Sequence, residues 1–103
     1  MEIGKLYQIN QYYWFLYPSQ DIAAAHAAVS PVVGASVCGD AASDAHYWSK
    51  RLDCNVSYIS PNSMFMLLEK NGKFCKVLTT EGMVGWIILA DWCKDNIMEV
   101  KSL

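Results

Sequence analysis

Residues 61–88 read PNSMFMLLEKNGKFCKVLTTEGMVGWII. Two short reversals punctuate this run, at Asn71-Gly72 and at Glu81-Gly82. Between them the chain is dense in β-branched, aromatic and long apolar residues, which suit a pleated and half-buried surface. Asn-Gly is a strong two-residue hairpin signal, because a type I′ turn needs φ > 0 at both central positions. The run therefore predicts three consecutive antiparallel strands over 64–70, 73–78 and 83–89. In the first, alternation sets Met64, Met66 and Leu68 on one face and Phe65, Leu67 and Glu69 on the other. Short strands joined by tight turns predict a small β-barrel.

Working outward, residues 5–17, KLYQINQYYWFLY, predict one bent strand or two short ones, ended by Pro18. The composition then changes, with nine of the ten alanines falling between Ala23 and Ala45. Ser19 or Asp21 is a suitable N-cap for a short helix over 22–29, which Ser30-Pro31 would close. Gly34, Gly39 and Asp40 suit a loop, and the barrel pattern resumes from Tyr47. A short strand is expected over 56–59 and a turn over 60–63. Ala90 to Asp95 should make one helical turn before a last strand, Ile97 to Val100. The whole chain, 1–103, reads as one domain with 19–54 as an Ala-rich insertion, and removing 22–45 should leave a folded barrel.

Composition narrows the function. Apolar residues make up 53% and aromatics 13%, enough for one core at 103 residues. Net charge is −2 with pI near 5.5, which argues against a nucleic-acid binder dependent on phosphate neutralisation. No Lys or Arg lies between Lys5 and Lys50, and Lys70, Lys73 and Lys76 surround one hairpin, where they read as a solvated face. The uncharged run 22–39 is long enough to span a membrane, but His26, Pro31 and its alanines make it a poor insertion segment. With no secretory signal pattern at its start, the chain is expected in a reducing cytoplasm with Cys38, Cys54, Cys75 and Cys93 free. A Cys38–Cys54 bridge is the alternative if it is exported.

The order Pro61-Asn62-Ser63, Asn71-Gly72, Phe74-Cys75-Lys76-Val77, Glu81-Gly82, Gly85-Trp86-Ile87, a helical turn and Ile97 to Val100 resembles the Src-homology-3-like barrel family. The likeness covers about 1–17 and 55–103. It implies a mainly β, five-stranded Src-homology-3-like barrel, with 19–54 inserted in the first long loop. Peptide-binding members present an aromatic groove to proline-rich ligands. By that resemblance Phe74 falls at the first groove tryptophan and Trp86 at the aromatic before an Ile/Val-Pro. Ile88 stands where the proline would be, and Trp92 lies one residue past the groove tyrosine. Tyr7 or Tyr12 would stand for the first-strand tyrosines. The aromatic start followed by an Ala-rich segment is also similar to small proteins of phages that infect marine cyanobacteria, which would place the chain in a host cytoplasm.

Each candidate has a plainer counterpart. Phe74, Trp86 and Trp92 are groove residues or simply large side chains covering a small barrel. His26, Cys38, His46 and Cys54 carry metal-binding atoms, but their spacings are too wide for a dedicated site. Cys75, on the same face as Val77, reads as a buried inert thiol. No catalytic signature is present, so no catalytic residue, metal or cofactor is expected. The Ala-rich helix either meets a partner or covers a barrel edge. The expected function is a non-enzymatic protein-interaction module. It would work through Phe74, Trp86 and Trp92, through the insertion, or by self-association. The alternatives are a structural part of a larger assembly and, further off, a small enzyme or nucleic-acid module.

Overall fold

Among residues 1–30, 33–36 and 40–100, which the computed structural model describes, eight strands form two antiparallel sheets alongside two α-helices. The aromatic start divides into β1 (Leu6–Ile9) and β2 (Tyr13–Leu16), parted at Tyr12, which sits at φ 69. Then follow α1 (Gln20–Val29), β3 (Ala35–Ser36), α2 (Ala41–Arg51) and β4 (Ser57–Ile59). The chain continues through β5 (Met64–Asn71), β6 (Phe74–Thr79) and β7 (Val84–Ile88), then a 3₁₀ turn at Lys94–Asn96 and β8 (Ile97–Glu99). One sheet has the order β7-β6-β5-β1-β8 and the other β3-β2-β4. They meet through a single antiparallel bridge, in which Tyr17 and Trp86 exchange backbone N–H···O bonds of 2.8 Å in both directions. The ladders are those of two open sheets, so the five-stranded closed barrel is replaced by a coarser fact: a mainly β chain of two sheets and two helices.

The 61–88 run folds as the three antiparallel strands its pattern predicts, with two local differences. Asn71 pairs with Phe74, so the hairpin loop is Gly72-Lys73, and only Gly72 (φ 60) has positive φ, the sign pattern of a type II′ turn. The β5–β6 register also shifts between Leu67 and Glu69, where β5 carries an extra residue. That bulge returns Glu69, opposite Lys76, to the face of Met64 and Met66 and away from Phe65 and Leu67. The second reversal is held by Thr79, whose Oγ1 accepts from the Met83 N–H at 3.0 Å.

Between Pro18 and Pro61 the structure departs further from the pattern. Ser19 caps α1 as expected, its Oγ accepting from the Ile22 N–H at 3.3 Å. Asp40, expected in a loop, is instead the N-cap of α2, its carboxylate accepting from the Ser43 N–H at 3.2 Å. The segment is not a detachable surface addition. Ala23, His26, Val33, Ala35, Ala41 and Ala45 are buried, and all but Ala41 and the polar His26 belong to one apolar cluster with Trp14, Phe65, Leu67, Val77 and Ile87. That shared core argues against a barrel that survives removal of 22–45. β2 is buried on both faces, which explains its unbroken apolar run, Trp14-Phe15-Leu16. At Gly85 a Cβ would lie 2.6 Å from Leu16 Cγ and 2.9 Å from the Tyr17 carbonyl, so the crossing of β2 over β7 requires glycine.

Candidate functional site

β6 alternates half-buried and buried residues along its length, so Phe74, Lys76 and Leu78 share one face and Cys75, Val77 and Thr79 the other. The second set enters the core. The first set faces outward, with Lys76 opposite Trp86 and Leu78 opposite Val84, while Phe74 lies opposite the fully buried Ile88. Phe74 and Trp86 are therefore diagonal neighbours on one surface, within the reach of aromatic side chains. Both are half-buried, and the Lys73 ammonium sits 5.6 Å from the Phe74 ring centroid. Ile88, at the family's proline position, is fully buried and offers no groove wall.

Trp92 lies apart from this pair. It is on the turn after β7, donates its Nε1–H to the Val33 carbonyl at 2.8 Å, and meets the Tyr12 ring at 5.3 Å. Its side chain ties the 33–36 segment to the end of β7 while staying 38% exposed. A shallow depression beside it is lined by Lys73, Leu89 and Asp91. The structure thus joins two of the three expected residues and gives the third a bracing role. Tyr7 is buried in the core, and Tyr12 serves Trp92.

Two features had not been legible. The first is a cavity of about 570 Å³ between α2, β4 and the β6–β7 turn, lined by His46, Ser57, Tyr58, Glu81 and Met83 among others. Its Ser49 hydroxyl is committed to structure, donating to the Ala45 carbonyl at 2.7 Å and accepting from the Val56 N–H at 2.9 Å. Only the recognition of Asp40 as a helix cap could have pointed to this wall.

The second is His26, fully buried in a ring of aromatics: Trp48 at 4.0 Å, Tyr17 at 5.5 Å and Phe15 at 5.7 Å between ring centroids. Its Nδ1 shares a 2.5 Å hydrogen bond with the Tyr17 hydroxyl, and its Nε2 has no partner among the described residues. Burial lowers the His26 pKa from 6.5 to about 4. Burial likewise drives the Tyr17 phenol upward, against a smaller pull from the Gly34 backbone. The site holds a neutral imidazole.

Cys75 is fully buried as expected, and burial raises its thiol pKa; the same cause takes Cys93 to about 11. Cys54 is a free thiol, and Cys38 lies outside the described residues. Among the described residues no group of three or more His, Cys, Asp or Glu could hold a metal ion, and no helix is long and apolar enough to cross a membrane. Comparison of the chain with protein-family models, with curated proteins and with solved structures finds no match.

Proposed function

We propose that the protein is a non-enzymatic binding module of Src-homology-3-like architecture, engaging a protein partner through the outer face of its five-stranded sheet. Support for the architecture comes from the strand order β8-β1-β5-β6-β7, the bulge that bends β5 and the 3₁₀ turn just before the last strand. In this reading the chain between β1 and β5 is an enlarged first loop that has become part of the core. The observation that carries the functional reading is the outward, half-buried pair Phe74 and Trp86, with the exposed Val84 two residues from Trp86 on the same strand face. Aromatic anchors flanked by exposed apolar side chains are the composition of association surfaces. The buried Ile88 favours a partner other than a proline-rich peptide.

The test is partner capture with the native protein and with a Phe74→Ala/Trp86→Ala double variant, circular dichroism confirming that the variant folds. Loss of about tenfold or more in recovered partner is expected for truncating two anchors. Undiminished recovery by the folded variant overturns the reading.

A further inference from the structure

The outer face can be read row by row from the strand registers. One row runs Leu6, Met66, Leu78, Val84, one residue from each of β1, β5, β6 and β7. Val100 extends it past β1 by donating its N–H to the Leu6 carbonyl at 2.9 Å. The row on one side holds Met98, Gln8 and Met64, and the row on the other holds Glu69, Lys76 and Trp86. Val84 and Met98 are each 53% exposed and Leu6 is 38% exposed. Three of the chain's five methionines stand on this one surface. Thioethers adapt to whatever packs on them, and contiguous exposed apolar patches mark association sites.

The face is complementary to itself. A twofold axis parallel to the strands and midway between β5 and β6 brings β5 of one copy over β6 of the other. That operation sets Glu69 against Lys76 of the second copy, Met66 against its Leu78 and Leu6 against its Val84, each contact occurring twice. Although Glu69 and Lys76 lie opposite each other in the ladder, they form no ion pair among the described residues, so both charges can meet a second copy. An axis across the strands would instead lay the charged row on Gln8 and the methionines and leave both charges unmatched. The rows extend about 19 Å across the strands and about 14 Å along them. Taken flat, that is about 270 Å², roughly a third of the 800 Å² per partner of a standard interface. A contact of that size fits a weak, readily reversible dimer that forms at high protein concentration. We infer that the occupant of this face is a second copy of the same chain, packed sheet on sheet with Glu69 and Lys76 as reciprocal pairs. The inference rests on the outer-face reading above and names the partner it takes.

Light scattering from micromolar to millimolar concentration tests it on the native chain, whose mass should rise from 11.6 kDa toward twice that value. Glu69→Lys alone, or Lys76→Glu alone, should weaken association about tenfold or more, because like charges then face each other twice. Mixing the two variants should restore association, since every cross-copy pair is again of opposite sign. Val84→Asp, at an exposed position, should also give monomers. A native chain that stays monomeric throughout overturns the dimer while leaving capture of another partner through Phe74 and Trp86 intact. A dimer that none of these substitutions weakens overturns both the dimer geometry and the use of this face.

Discussion

His26 shows how one side chain can set a pH limit on the whole protein. The folded state keeps the imidazole neutral down to about pH 4, whereas the unfolded chain takes up its proton near 6.5. Stability from this residue is therefore complete above pH 6.5 and declines as pH falls toward 4. By pH 5 the loss should be about 2 kcal/mol. Urea midpoints measured between pH 7 and 5 check this, and a His26→Phe variant should lose that part of the slope. A native protein with no slope in that interval would mean that the imidazole titrates in the fold as it does in the unfolded chain. Gly85 sets a steric limit instead. Gly85→Ala should cost about 2–4 kcal/mol, because the new methyl meets Leu16 and a backbone carbonyl that cannot step aside. Thermal unfolding of that variant is the measurement.

At the scale of elements, the strands of 61–88 and the start of α1 were legible because their signals are local. Alternation, Gly-marked reversals and a Ser cap act within a few residues. Helix α2 was not legible, because Gly39-Asp40 reads equally as loop punctuation and as a helix start, and only the tertiary setting decides. Asp40→Ala should therefore cost about 1 kcal/mol, seen as a lower denaturation midpoint, by freeing the Ser43 N–H. Phe74 and Trp86 were singled out by the family resemblance, and the β6–β7 register sets them on one face. The placing of Trp92 against Val33, 59 residues away in sequence, was not legible, since such a bond has no local trace. The partition of 5–17 between two sheets was hidden for the same reason.

For the whole molecule, the decisive fact is that both sheets and both helices share one interior. The full burial of Trp14, Tyr17, Phe65 and Ile87 depends on side chains that lie far apart along the chain. A variant lacking 22–45 should consequently fail to fold, giving a disordered far-ultraviolet spectrum and no cooperative melt. A sharp transition from that truncated chain would show that the two sheets are separable. Alanine composition alone could not reveal this, because small residues read as surface filler until a neighbouring sheet is known to rest on them. The extra residue at Leu68 has a further bearing, on how the length of this protein can change. A homologue missing that position would thread β5 and β6 in the same pairing, Leu67 still inward and Glu69 still outward, with only the local bend relaxed. A single codon gained or lost elsewhere between Met64 and Thr79 would turn Lys76 or its neighbours into the interior. Natural variation in the spacing of this hairpin should accordingly be confined to that one place.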